Sequence, residues 1–253
     1  MGIAQRYISK IHRETSFFAT WTPSQVLSLG DFGTLDSNGA FQLEGKLSKL
    51  GFTGLSSVSE ARSDDFLEIT TESGTSITVK AAGDTMASSK LPQAKAGLSI
   101  SFTKADALVC KLKGPTQESV DNLKDIEDFV IEQYKAGKWT KEWRIVTQRV
   151  FAAGTTIVYS DTQGVAIEAT AEAPIQNIAD ANIGLSIVHK SGGAVNVVGG
   201  ANLSPFITLV RLHKPLFGTP GLKSFTRDMV VSGEVAPVLV VDSPRSLAGA
   251  RDE

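Results

Sequence analysis

Apolar residues recur at every second position through residues 165–171, where Val165, Ile167, Ala169 and Ala171 are interleaved with Ala166, Glu168 and Thr170. A two-residue period puts the two sets on opposite faces of a pleated strand, and no helix can gather them into one stripe. Runs of the same kind fill residues 143–212, with strands expected at 144–151, 155–160, 165–171, 183–189, 194–198 and 206–212. A chain patterned in this way folds around antiparallel sheet with one face packed and one face wet.

The first two-thirds of the chain adds smaller pieces. Ile3, Tyr7, Ile8 and Ile11 fall on one side of a helix over residues 3–14, with Arg6, Lys10 and Arg13 on the other. Short strands are expected at 17–21, 26–29, 33–35 and 41–47. The Asp36-Ser37-Asn38-Gly39 turn supplies the positive φ that a tight hairpin needs, which brings Leu35 opposite Phe41. Residues 51–65, with four serines and three acidic residues, read as an exposed loop. Two hairpins are expected next. In the first, Leu67 and Ile69 turn through Ser73-Gly74-Thr75 into Ile77 and Val79. In the second, Leu98, Ile100 and Phe102 turn through Lys104-Ala105 into Leu108, Cys110 and Leu112. A central helix is expected over 116–135, with Thr116 as its cap, Val120, Leu123, Ile126, Val130 and Tyr134 as its buried stripe, and Gly137 as its left-handed stop. The fold class is therefore α+β: a mainly antiparallel, twisted sheet with an N-terminal amphipathic helix and one central helix. Residues 1–213 read as one domain and 214–253 as an extended, proline-punctuated tail.

Composition narrows the partners. With 42% hydrophobic and 21% charged residues, the chain is in the globular range. A net charge of −2 gives no basic footprint for nucleic acid. The lone Cys110 lies in an apolar run and reads as a buried, inert thiol, a usage that suits a reducing cytoplasm. No run of about 18 apolar residues is present, so the expected form is soluble.

The usual signatures of chemistry are sparse. His12, His189 and His213 lack metal-ligand spacing, both among themselves and with Cys110, so no metal or cofactor is expected. Asp31-Phe32-Gly33 matches a kinase triplet without the glycine loop or catalytic loop that would give it meaning. Asp64-Asp65, and Asp125 with Glu127 and Asp128, are carboxylates on wet surfaces. The chain reads as non-enzymatic. A hydrolase assembled from residues distant in sequence is the remaining catalytic alternative.

The order of elements, carried by Ile3 to Arg13, by Trp143-Arg144-Ile145-Val146-Thr147-Gln148-Arg149-Val150 and by Ser204-Pro205-Phe206-Ile207-Thr208-Leu209-Val210, resembles the pore-forming domain of gasdermins, particularly the short bacterial ones that end in an inhibitory tail. Bacterial members are typically acylated on a cysteine near the N-terminus, and this chain has none before Cys110. The resemblance implies a homo-oligomer that engages an anionic membrane after activation. Arg6, Lys10, Arg13, Lys138, Lys141 and Arg144 would touch lipid, Val165, Ile167, Ala169 and Ala171 would insert or pair, and the tail would keep the protein closed. The alternative without a membrane is a soluble β-rich module that binds a protein partner or itself.

Overall fold

The computed structural model describes residues 2–61, 66–71, 73–85, 90–93, 95–170, 186–191, 195–212 and 240–241. Helix α1 (Ile3–Thr15) comes first, followed by the short strand β1 (Phe18–Ala19) and the hairpin of β2 (Asp31–Leu35) and β3 (Phe41–Lys46). Leu35 pairs with Phe41 as expected. The Asp36 carboxylate accepts the backbone N–H groups of Asn38 and Ala40 at 2.8 and 2.9 Å, and Gly39 takes φ 79°. The remaining strands fall into four long runs. The first is β4 (Ser57–Ala61), β5 (Phe66–Thr70) and β6 (Thr75–Lys80), and the second is β7 (Gly97–Phe102), β8 (Ala107–Lys113) and β9 (Thr116–Val120). After helix α2 (Leu123–Lys135), the third is β10 (Arg144–Ala152), β11 (Gly154–Ser160) and β12 (Val165–Thr170), and the fourth is β13 (Ser186–Ser191), β14 (Val195–Gly200) and β15 (Leu203–Arg211). Strand β16 (Val240–Val241) pairs with β15 at Val210 and Arg211.

Each run crosses three sheets. The base sheet holds β1, β15, β10, β2 and β3 in that order, with β9 on β10, β4 on β9 and β16 on β15. The middle sheet has the order β14-β11-β8-β5, and the outer sheet has the order β13-β12-β7-β6. The four runs therefore lie side by side in the same sequence throughout, as one sheet of long strands that is bent and then folded over on itself.

The middle sheet is the central layer. Leu108, Cys110, Leu112, Ile157 and Tyr159 point from it towards Tyr7, Ile8 and Ile11 of α1 and towards Val146, Val150 and Phe206 of the base sheet. Ala107, Val109 and Val158 point the other way, into a second core with Leu98, Ile100, Phe102, Val165 and Ile167 of the outer sheet. Burial on both sides makes β8 and β11 near-continuous apolar runs instead of alternating ones. The far face of the base sheet packs Ile145, Val210 and Phe32 against Ile126 and Val130 of α2 and against Trp139.

Several expected elements change on folding. The helix expected over 116–135 begins only at Leu123, because Thr116–Val120 is strand β9, paired on one side with β4 and on the other with β10. Cross-strand bonds hold it there. Arg149 donates from Nε to Glu118 Oε2 at 2.6 Å, and Gln148 donates to the Ser119 hydroxyl at 2.9 Å, so tertiary pairing overrides local helix propensity. The helix ends as expected: Gly137 at φ 71° lets Lys138 N–H reach Gln133 O at 2.8 Å. Part of the expected loop 51–65 is strand β4, and the expected strand 26–29 is irregular. The two expected hairpins are also absent: β5 pairs with β8 and β6 with β7, and neither β5 and β6 nor β7 and β8 pair with each other. Of the tail, only Val240–Val241 is among the described residues.

Burial pushes the Cys110 thiol and the Tyr7 hydroxyl upward in pKa, and burial together with a hydrogen bond to Asp106 does the same for Tyr159. Their protonated forms are held by the fold, whereas the unfolded chain releases these protons above about pH 8.5 for cysteine and pH 10 for tyrosine. The stability they contribute is complete below those values and is lost as pH rises. Denaturant melts should show the unfolding free energy falling between about pH 9 and pH 11, with a smaller fall in Cys110→Ala.

Candidate functional site

Of the connections that fold the outer sheet over the middle one, the fourth, 192–194, lies outside the described residues, and the other three are residues 71–74, 103–106 and 161–164, four residues in each. They are arches: the strands on either side face each other through side chains instead of sharing backbone hydrogen bonds. Each contains a left-handed residue, Gly74 at φ 87°, Asp106 at φ 55° and Gly164 at φ 76°. Backbone bonds tie neighbouring arches together, with Thr103 N–H on Gly74 O and Gly164 N–H on Phe102 O, both at 2.8 Å. Asp106 also accepts the Tyr159 hydroxyl at 2.8 Å and stands 3.9 Å from the Arg6 guanidinium.

The second and third runs keep one register through all three sheets. It starts at Gln148↔Ser119 in the base sheet, continues from Gly154↔Lys113 to Ser160↔Ala107 in the middle sheet, and resumes at Val165↔Phe102 to end at Thr170↔Gly97 in the outer sheet. Each step along one run is matched by one step along the other, across the bend and across the arches. A four-residue arch also preserves parity, since side chains alternate with a period of two. Counted straight through, Leu98, Ile100 and Phe102 are in phase with Leu108, Cys110 and Leu112. Val165, Ile167 and Ala169 are likewise in phase with Ile157 and Tyr159. The opposite phase holds Ser99, Ser101, Glu168 and Thr170.

The folded arrangement keeps these in-phase sets apart. The outer sheet turns its apolar side onto Ala107, Val109 and Val158, while the in-phase side of the middle sheet is covered by α1. Outward, the outer sheet presents Ser76 and Thr78, exposed, with Ser99, Ser101 and Ala166 half-buried. At one end of that polar face, Lys80 and Glu168 are buried against Lys90, Pro92, Gln93 and Lys95 of the connection to β7. Sequence reading passed over these two, because each sits at an ordinary polar position of an alternating strand and the burial comes from a segment folding back.

The basic candidates divide into two groups. Arg6, Lys10 and Arg13 line a shallow cavity of about 150 Å³ with Ser9 and Asp106. Lys10 is paired with Glu14 at 3.0 Å, and Arg13 is largely exposed. Lys138 and Lys141 are exposed around the buried Trp139, and Arg144 bonds the Glu142 carbonyl. Helix α1 packs on the side of the base sheet that carries Val146, whereas Trp139 packs on the side that carries Ile145. Lys138 and Lys141, which flank Trp139, thus lie on the other side of that sheet from α1 and form no common patch with its basic residues. Val165, Ile167 and Ala169 are buried, while Ala171, His213, Asp64 and Asp65 fall outside the described residues.

Among the described residues, no group of three or more His, Cys, Asp or Glu side chains could hold a metal ion. His12 bonds the Phe17 carbonyl through Nδ1 at 3.3 Å. Gly33 of the kinase-like triplet is set by packing, since a Cβ there would lie 1.8 Å from the Gln42 carbonyl oxygen.

The architecture is an α+β antiparallel fold. No family model matches the chain, and no curated protein matches it. Among solved structures it is similar to the gasdermin A3 membrane pore determined by cryo-EM, at 12% identity over 85% of this chain and 92% of that chain, with a TM-score of 0.26. The expected family resemblance stands as a weak structural one, and an alignment this loose fixes neither family nor function.

The arch geometry is open to a direct test. Gly164 has open space around its missing Cβ, so Gly164→Ala adds backbone strain alone. It should lower stability by about 1–2 kcal/mol in a denaturant melt, whereas Ser76→Ala, on an exposed position, should change it by less than about 0.5 kcal/mol.

Proposed function

We propose that this is a non-enzymatic, self-assembling protein that engages a membrane, with the outer sheet as its inserting element. The observation that supports this reading is the shared register and parity of the second and third runs. If the arches straighten, residues 97–113 and 154–170 become continuous strands with no change of pairing partner; one face is apolar apart from Thr155 and the arch residues Lys104, Asp106, Asp161 and Gln163, and the other is mostly small and polar. A spanning β-strand needs about 9–11 residues of that pattern, with every backbone group paired to a neighbour. The hairpin that would insert is then the pair formed by the first and second runs, whose register moves by two residues between Thr70↔Val109 and Thr75↔Phe102 and so has to slip as the arches straighten.

Self-assembly follows from the edges. In the middle and outer sheets, β5 and β6 form one boundary and β14 and β13 the other. Apposing the two boundaries of neighbouring copies in a closed ring removes every free edge. Arg6, Lys10 and Arg13 on α1, which covers the in-phase apolar face, are the basic groups best placed to meet anionic lipid as that face is freed. Lys138 and Lys141 would act at a separate surface. Strand β16 lies beside β15, and the tail that supplies it would hold the closed form.

No helix among the described residues is long and apolar enough to cross a membrane, which leaves strands as the spanning element in this reading. A second reading, a soluble module that binds a protein or itself through a sheet edge, is favoured by β4. Ser57, Val58, Ser59 and Glu60 are all exposed, and Val58 keeps 48% of its surface in solvent.

Dye leakage from anionic liposomes separates the two readings. The chain ending at residue 213, checked for folding by circular dichroism, should release dye faster than the full chain. Single cysteines at Leu98, Ser99, Ile100 and Ser101, carrying a polarity-sensitive dye, should report apolar surroundings at 98 and 100 and water at 99 and 101. Leakage from neither form, or four wet labels in protein that does bind vesicles, would move the assignment to the soluble module.

A further inference from the structure

Lys80 is the last residue of β6 and is 98% removed from solvent, with no carboxylate among its bonding partners in the described residues. Its ammonium faces four backbone carbonyls, all on the connection to β7: Lys95 O at 2.8 Å, Pro92 O at 3.1 Å, Gln93 O at 3.2 Å and Ala81 O at 3.4 Å. Three N–H donors can serve three of these at once. A buried cation satisfied only by main-chain oxygens is retained because the segment that supplies them stays in place, and it loses its solvation if that segment leaves without water replacing it.

The opposite charge lies near it on the same face of the outer sheet. Glu168, 7% exposed, accepts the Lys90 backbone N–H at 2.7 Å. The register Lys80↔Gly97↔Thr170 places Glu168 two positions along β12 from the residue level with Lys80. Between them, Gly97 provides a seat. A Cβ there would lie 2.8 Å from the Leu91 side chain and 2.9 Å from the Ala169 carbonyl, and Leu91 itself is buried. Gly83 N–H bonds Gln93 O at 2.8 Å and closes the connection on itself.

We infer that Lys80 and Glu168 are a two-point clamp that holds Lys90, Pro92, Gln93 and Lys95 of the connection to β7 down on the outer sheet, and that its release precedes straightening of the arches. The inference rests on the membrane-inserting reading for its consequence but not for the clamp itself. The 81–96 connection is the tip of the pair formed by the first two runs, the part that would enter a bilayer first. While it is folded back, the outer sheet cannot extend beyond Lys80 and Gly97. Once it is released, both charged side chains stand on the polar phase of the straightened strands, where water replaces the carbonyl cage.

Hydrogen–deuterium exchange of the full chain tests the clamp without lipid. Lys80→Met, which removes the charge and keeps an unbranched side chain one atom shorter, should speed exchange in the 81–96 peptide by about tenfold or more while leaving α1 and β10 as in the wild type. Should that variant fail to fold, Glu168→Ala removes the second anchor and should loosen the same peptide. Unchanged exchange at 81–96 in a folded variant overturns the clamp. On vesicles of phosphatidylcholine mixed with phosphatidylglycerol, a loosened variant should leak dye faster than wild type, and equal rates from a loosened and an intact clamp would overturn its place in the sequence of events. Absence of leakage from every form, the chain ending at residue 213 included, counts against the membrane reading alone and leaves exchange to judge the clamp.

Discussion

The single register in which residues 97–102, 107–113 and 116–119 pair with 165–170, 154–160 and 148–151 is the constraint on which the rest of the structure depends. Antiparallel strands satisfy their backbone groups only in register, and a slip of one residue would turn every apolar side chain to the wrong face. Because one register runs from the base sheet to the outer sheet, the chain must bend and fold at matching levels in neighbouring runs. The arches at 103–106 and 161–164 accordingly have equal length, and Gly164 N–H bonds Phe102 O across them. The bend between base and middle sheets falls at Gly114-Pro115 on the second run and at Ala153 on the third, where a proline cannot donate to a ladder in any case.

Burial then divides the molecule. The middle sheet is packed on both sides, and its two faces have different partners, α1 on one and the outer sheet on the other. The outer sheet has a single packed face and a polar face of small residues. It is attached through arches held by a few backbone bonds and one left-handed residue each, and by the carbonyl cage around Lys80. The base sheet is covered on both sides by helices and aromatic residues, with Phe32, Trp139 and Trp143 clustered at centroid distances of 4.6–5.2 Å. The element with the simplest attachment is thus the element whose side-chain pattern suits a second environment.

How much of this could be read in advance depended on the range of the interactions involved. Helix α1, the Asp36 to Gly39 turn, the end of α2 at Gly137 and the strands of the third run are set by neighbours close in sequence, and they appear where the residues put them. The turn at Ser73-Gly74 was legible as a turn, but a hairpin and an arch use the same residues, and the difference lies in whether β6 bonds β5 or β7. Thr116–Val120 carries helix-like signals, yet two strands from distant parts of the chain claim its backbone. The separation of the two basic clusters, the burial of Lys80 and Glu168, and the use of both faces of β8 depend on which layer covers which.

By itself, the sequence determined the α+β class, the antiparallel alternation, the two amphipathic helices in outline and the buried, inert character of Cys110. These follow from the period of apolar residues and from local turn chemistry, which act over a few positions. Only the tertiary structure decided that twelve of the strands are three segments each of four long runs, that these runs share one order through three sheets, and that the outer part is folded back under a clamp. Pairing partner and layer order are long-range choices between strands of nearly equal local quality. They are settled by the summed burial and hydrogen bonding of the whole sheet, which no short window of residues contains.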